Sequence, residues 1–248
     1  MRVVFLGTPE FAVPSLGALI SSGHEVVAVF TQPGRAKGRG GQVAESPVKS
    51  AARAAGLTVY QPERIRRPEN VELLKDLAPE LIVVVGYGQI IRQTIIDLPK
   101  QGIINVHASL LPKYRGAAPI QWAIANGETQ TGVTIMQIDA GLDTGDMLLK
   151  ASIPIEADES APKLSARIAL LGAALLVEGL QQIATGSVAR EKQNEAEATY
   201  APVLKKEDGR IDWLRPACQI YNRLRGFAPW PGAYTTFRGQ QLLVLSAR

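Results

Sequence analysis

The 248-residue chain predicts an α/β fold: a mostly parallel sheet with helices on both faces, followed by a small β-rich unit. Three observations predict it. Residues 81–86, Leu-Ile-Val-Val-Val-Gly, form an apolar run without polar alternation, the pattern of a strand covered on both faces. Apolar runs bounded by turn signals alternate with helical patterns up to residue 186. After Gly186 the composition turns polar and the periodicity is lost, before a last short set of helix and strand signals.

The elements follow in order. Residues 3–7 read as a strand, 11–22 as a helix ending before Gly23, and 26–31 as a second strand. Ser46-Pro47 reads as an N-cap with proline at the first helical position, opening a helix over 48–55. The buried strand at 81–86 is followed by a short strand at 103–107. Residues 131–137 and 147–155 read as further strands, and 160–186 as a long helix rich in alanine and leucine. Domain boundaries are expected at 1–186 for a catalytic domain, 187–204 for a linker, and 205–248 for a partial C-terminal domain. Within that last part, 216–225 reads as helix and 233–237 and 242–245 as strands. Some 45 residues are fewer than usually fold alone, so the C-terminal unit is expected to be truncated.

Composition removes several classes. One cysteine, Cys218, excludes an internal disulfide and fits a reducing, cytoplasmic compartment. The start, Met1-Arg2-Val3-Val4-Phe5-Leu6-Gly7, is too short an apolar run for a signal peptide. No apolar run is read as approaching the ~20 residues of a membrane span. With only His24, His107 and Cys218, no His/Cys metal site is expected. The net charge of +4 is uneven: residues 31–50 carry +3 and 201–248 carry +5, against −4 elsewhere. Two basic patches on an acidic body suit a polyanion gripped at two places, although on charge alone solvated surface charge is the favoured reading.

The polar residues with chemical potential are Asn105 and His107. In a strand, residues two apart point to the same face, so both would project into one pocket at the strand's carboxyl end, where open α/β sheets place ligands. Asn105 could donate to a developing oxyanion, and His107 could move protons near neutral pH. Asp143, between Gly141 and Gly145, sits in a tight loop that could bring its carboxylate to the imidazole and favour the charged form. No G-x-S-x-G nucleophile accompanies the trio, which suits direct acyl transfer to an amine. Alone, an Asn-x-His pair is usually structural and an Asp between glycines a loop-former, and spacing does not establish that they meet. Ser109 could simply cap a turn, and His24 reads as a residue at a helix end. The first strand–helix turn, Gly7-Thr8-Pro9-Glu10, lacks the G-x-G-x-x-G of a dinucleotide site, which argues against a nicotinamide or flavin oxidoreductase.

The stretch Asn105-Val106-His107-Ala108-Ser109-Leu110-Leu111-Pro112-Lys113-Tyr114-Arg115-Gly116 resembles the signature of the folate-dependent formyltransferases. Gly141-Leu142-Asp143-Thr144-Gly145-Asp146-Met147-Leu148 is similar to the family's second motif. The opening Gly7-Thr8-Pro9-Glu10-Phe11-Ala12, Thr31-Gln32-Pro33, Ser46-Pro47-Val48-Lys49 and Ala228-Pro229-Trp230-Pro231-Gly232 resemble its tRNA-acting branch. The resemblance implies a Rossmann-like formyltransferase sheet, 10-formyltetrahydrofolate as co-substrate without a metal, and the α-amino group of methionine on initiator methionyl-tRNA as acceptor. It implies that Asn105 polarises the formyl oxygen, His107 handles protons and Asp143 orients and charges His107. The folate is expected against Gly86, Tyr87, Gly88, Gln89, Ile90 and Ile91, against Ser109, Leu110, Leu111 and Pro112, and against the 139–143 loop including Asp139. Arg35, Lys37 and Arg39 resemble an inserted basic loop that meets the tRNA acceptor arm. A monomer is expected, with no membrane partner. The alternatives are a formyltransferase acting on a small amine (glycinamide ribonucleotide or an amino sugar nucleotide), a formyltetrahydrofolate hydrolase, and a non-catalytic RNA-binding module.

Overall fold

The computed structural model describes residues 1–34 and 44–247. The strands are β1 (Arg2–Gly7), β2 (Glu25–Phe30), β3 (Val59–Tyr60), β4 (Leu81–Val85), β5 (Ile103–His107), β6 (Arg115–Gly116), β7 (Gln130–Gln137), β8 (Met147–Pro154), β9 (Tyr200–Ala201), β10 (Ala233–Phe237) and β11 (Gln240–Val244). The helices are α1 (Val13–Ser21), α2 (Pro47–Ala54), α3 (Pro68–Asp76), α4 (Gln93–Ile96), α5 (Pro119–Ala125), α6 (Ala161–Thr185) and α7 (Ala217–Gly226).

Seven strands form one sheet in the order β3-β2-β1-β4-β5-β7-β8. β1 pairs in parallel with β2 and β4, β2 with β3, and β4 with β5, whereas β7 runs antiparallel to β5. The sheet is therefore mostly parallel, as the apolar runs predict. The registers Leu6↔Val84 and Val84↔Asn105 put the carboxyl ends of β1, β4 and β5 side by side. Every residue of β4 is buried, with successive side chains pointing to opposite faces, so both faces are covered.

Local chemistry explains the element ends. Ser46 caps α2 by accepting a hydrogen bond from the Lys49 amide at 3.1 Å, and Pro47 occupies the first turn. The helix expected over 11–22 opens instead as a 3-10 turn, Glu10–Ala12, and becomes α-helical at Val13. Pro14 then lies in the first turn, where its missing N–H costs no intrahelical bond. α3, α4 and α5 lie where no helix was expected.

α6 corrects the expectation about apolar length. It has 25 residues and is long and apolar enough, by length and composition alone, to cross a membrane. Its apolar side is packed inside the protein, with Leu164, Ile168, Leu176 and Leu180 fully buried. Lys163, Arg167 and Glu178 interrupt the sequence run, which is why no long apolar stretch stands out.

By contacts the chain divides into two units. The first comprises Met1–His107, Thr134–Lys150 and Ala169–Gln193; the second comprises Ala108–Val133, Ala151–Ile168 and Asn194–Arg248. The core of the first gathers Val4, Leu6, Phe30, Ile65, Leu74, Ile82 and Tyr87 around β1, β2 and β4. The second holds a smaller cluster of Ala118, Ala125, Leu204 and Phe227, with the Trp122 and Phe227 rings edge to face at 5.2 Å. It also holds the antiparallel pair β10–β11 and the short parallel pair β6–β9.

Segment 187–202, expected as a linker, is bound into the structure along its length. Glu191 and Met147 exchange backbone hydrogen bonds at 2.8 and 2.9 Å within the first unit. In the second unit the fully buried Arg115 guanidinium holds both carboxylate oxygens of Glu195, at 2.9 and 2.7 Å. Most of its residues are solvent-exposed, which is why the segment is polar, and a few of its side chains hold specific partners.

Candidate active site

Asn105 and His107 occupy the third and fifth positions of β5, so their side chains leave the same face. The strand ends at His107, which is 5% exposed, while Asn105 is half-buried.

Asp143 reaches them by an indirect route. β7 is antiparallel to β5, so it ends opposite the start of β5, where the Ile138 amide bonds the Ile103 carbonyl at 2.7 Å. The chain that follows must double back along the sheet to bring Asp143 to His107. It does so: Asp143 Oδ2 lies 3.7 Å from His107 Nδ1, ion-pair range and longer than a direct hydrogen bond. Asp143 has the left-handed conformation, φ 52°, which an aspartate tolerates better than most residues. The loop braces itself through Asp139, whose carboxylate accepts from the Gly141 amide at 3.0 Å and from Thr144 Oγ1 at 2.7 Å. A Cβ at Gly145 would run into the Gln137 carbonyl, so only glycine allows this close return.

The segment 86–91 follows β4 directly. Gly86 and Gly88 have φ of 57° and 79°. A side chain at Gly86 would meet the Pro9 ring at 2.9 Å, and one at Gly88 the Gln32 amide at 2.9 Å. The positive φ of both favours glycine, and at Gly86 the Pro9 ring adds a steric reason, whereas the Gln32 amide beside Gly88 is the movable end of a side chain. Tyr87 points inward, 1% exposed, and burial pushes its phenol well above the ordinary value. Its carbonyl accepts from Thr8 Oγ1 at 3.2 Å and Gln32 Nε2 at 3.0 Å. Gln89 is committed at both ends of its amide, accepting from the Ile65 N–H at 2.7 Å and donating to the Pro62 carbonyl at 3.0 Å. Ile90, 79% exposed, and the partly buried Ile91 leave apolar surface for a ligand.

Ser109, Leu110, Leu111 and Pro112 follow His107 in the chain and belong to the second unit. The Ser109 hydroxyl donates to the Lys113 carbonyl at 2.6 Å, closing the turn. Next to it Tyr114, whose hydroxyl donates to Glu128 at 2.8 Å, is pushed up to about 12 by burial. Arg35, Lys37 and Arg39 lie outside the described residues. His107 and Asp143 thus come together in the first unit, with Asn105 on the same face of β5 as His107; Asp139 and Gln89 serve as braces.

Sequence reasoning missed one residue of this site. Gln193 donates from its amide to the Asp143 carbonyl and to the Gly145 carbonyl, both at 2.8 Å. It lies 50 residues beyond Asp143 in an aperiodic polar stretch, so no local signal marks it. Among the described residues no group of three His, Cys, Asp or Glu side chains is placed to hold a metal ion.

Residues 1–180 match the formyl transferase family model, and residues 203–248 match that of the formyl transferase C-terminal domain. The chain is 63% identical over 248 residues to a methionyl-tRNA formyltransferase of Solibacter usitatus, covering 100% of this chain and 80% of that one. It is 59% identical over 249 residues to the enzyme of that name from Koribacter versatilis, again covering 100% and 80%. Among solved structures, a 4-N formyltransferase from Francisella tularensis has the same fold, with a TM-score of 0.77 at 18% identity over 98% of this chain and 96% of that one. WlaRD, a sugar 3N-formyl transferase solved in the presence of dTDP and 5-N-formyl-THF, aligns with a TM-score of 0.71 at 23% identity over 92% and 79%. A family match across most of the chain, joined to identity above half over the whole of this chain, leaves one assignment: the chain belongs to the formyl transferase family.

Proposed function

We propose that this chain transfers a formyl group from 10-formyltetrahydrofolate to the α-amino group of methionine on initiator methionyl-tRNA. The observation that carries the chemistry is the return of Asp143 to His107, on the strand face that also presents Asn105. The similarity of the whole of this chain to about four fifths of methionyl-tRNA formyltransferases supports the acceptor.

The residues suit a folate donor. Ile90 and Leu142, the latter 59% exposed, keep apolar surface on the 86–91 and 139–143 segments. When bound, the donor supplies the formyl carbon, whose bond to the folate nitrogen breaks as its bond to the amine forms. Asn105 donates to the formyl oxygen as negative charge gathers there. His107 takes the proton that the attacking amine loses and delivers one to the departing nitrogen. Asp143 holds the imidazole and steadies its positive charge while it carries that proton. A free α-amino group titrates near ~7.7–8.0, and esterification of its carboxyl lowers this, so the acceptor is largely neutral and nucleophilic at neutral pH.

Arg35, Lys37 and Arg39 are proposed to meet the tRNA acceptor arm, with residues 205–248 adding positive charge and 1–186 carrying catalysis. The protein is read as a cytoplasmic monomer. The test mixes the protein with 10-formyltetrahydrofolate and methionyl initiator tRNA, in parallel with glycinamide ribonucleotide, an amino sugar nucleotide, and no acceptor. Formylmethionyl-tRNA should form fastest; a faster small acceptor, or formate released without acceptor, overturns the reading.

A further inference from the structure

We infer that Gln193 is a positioning residue of the formyl-transfer site, holding the Asp143 carboxylate against His107 through the backbone of the Asp143 loop. The inference rests on the role proposed for Asp143 and goes beyond it.

A primary amide has two N–H donors, and the Gln193 amide directs its donors at two carbonyls, those of Asp143 and Gly145, each at 2.8 Å. Those carbonyls belong to the two residues that make the return of the loop possible. Asp143 has a φ of 52°, and Gly145 packs against the Gln137 carbonyl with no room for a side chain. A left-handed non-glycine residue persists only where its surroundings enforce it. Asp139 grips the loop at Gly141 and Thr144, on either side of Asp143, but makes no hydrogen bond to Asp143 itself. Gln193 does, and it comes from a different stretch of chain.

That stretch is itself fixed. Glu191, two residues earlier, exchanges two backbone hydrogen bonds with Met147, the first residue of β8, and its carboxylate lies 3.6 Å from Lys150 Nζ. Gln193 therefore reaches the loop from a backbone tied to the strand into which the loop runs. With its donors removed, the Asp143 peptide can relax out of the left-handed region, and the carboxylate swings away from the imidazole. The 3.7 Å spacing leaves little tolerance, since the attraction and the alignment both fall as the pair separates.

The test is single-turnover formyl transfer from 10-formyltetrahydrofolate to methionyl initiator tRNA, with the protein in excess. Gln193→Ala and Gln193→Glu are measured in the wild-type and Asp143→Asn backgrounds. Glutamate keeps the chain length and lacks both donors, so a folding failure of either variant leaves the other to read. Each is expected to lower the transfer rate about 10–100-fold, with the concentration dependence on the donor changed less than about twofold. In the Asp143→Asn background the further loss should shrink to less than about twofold, because two residues acting through one contact are not additive. Gln193→Asn, which keeps the donors on a shorter arm, should recover part of the rate. If Asp143→Asn is slow while the Gln193 variants run at the wild-type rate, or cut it equally in both backgrounds, Gln193 is not a positioning residue and the reading of Asp143 stands. An Asp143→Asn protein at the wild-type rate overturns both.

Discussion

Replacing Asp143 by asparagine removes a charge and keeps the shape, so its effect can be worked from the structure. At the 3.7 Å between Asp143 Oδ2 and His107 Nδ1, Coulomb's law gives about 1 kcal/mol of attraction to a charged imidazole at a dielectric of ~80, and about 4 kcal/mol at ~20. The side chains are 5% and 18% exposed, so the pair lies nearer the second value. That attraction acts while His107 carries the amine's proton, so it lowers the barrier to transfer. At about 1.4 kcal/mol per factor of ten, Asp143→Asn should lower the transfer rate roughly tenfold to a thousandfold. The assay is formylmethionyl-tRNA formation in a single turnover, with the fold checked by circular dichroism. An Asp143→Asn protein that is folded and within about twofold of the wild-type rate would refute the electrostatic reasoning.

Three further outcomes concern stability. Tyr87 carries a fully buried hydroxyl with no hydrogen-bond partner among the described residues, so Tyr87→Phe should leave the urea midpoint unchanged or raise it, by up to about 2 kcal/mol of stability. A clear loss would reveal a partner for that hydroxyl. Ser46→Ala removes the cap of α2 and the 2.7 Å contact with the buried Thr31 hydroxyl, and should cost about 1–3 kcal/mol in denaturant unfolding, where a Thr31→Val, Ser46→Ala pair should cost less than the sum of its singles. The Arg115 guanidinium holds the Glu195 carboxyl below its ordinary value of 4.5. A depressed carboxylate stabilises the fold above its unfolded value, and that stability is lost as pH falls from about 4.5 through the lower folded value. Glu195→Gln should therefore flatten the acid limb of the stability profile between pH 5 and 3 and leave its shape at neutral pH unchanged.

Much of the scaffold is legible because it rests on local rules. The buried strand β4 announces itself by five apolar residues in a row, and β5 by the apolar run that ends in His107. Ser46-Pro47 gives the start of α2 to the residue, since capping chemistry is local. The same rules place Asn105 and His107 on one face. They do not reach Asp143: the antiparallel turn of β7 carries the chain to the wrong end of β5, and only a doubled-back loop corrects this. Its braces, Asp139 and Gln193, look like ordinary polar residues because their partners are backbone carbonyls, amides and a neighbouring hydroxyl. Segment 187–202 reads as a linker for the same reason. Its residues are mostly exposed and so carry no apolar period, and those that hold specific partners, such as Glu195 on Arg115 and Gln193 on the Asp143 loop, give no local signal. At Gly86 and Gly88 the positive φ of both, and the Pro9 ring beside Gly86, already favour glycine, so the residue type alone does not mark a ligand's approach.

Direct formyl transfer through His107 is tested most simply by rapid-quench single turnovers with a formyl-labelled donor and methionyl initiator tRNA, comparing the wild-type protein with His107→Ala. Label should appear in formylmethionyl-tRNA as fast as it leaves the folate, with none held on the protein, and the variant should be slower by about 10²–10³ or more. Label trapped on the protein, or a His107→Ala protein that transfers at the wild-type rate, would contradict it.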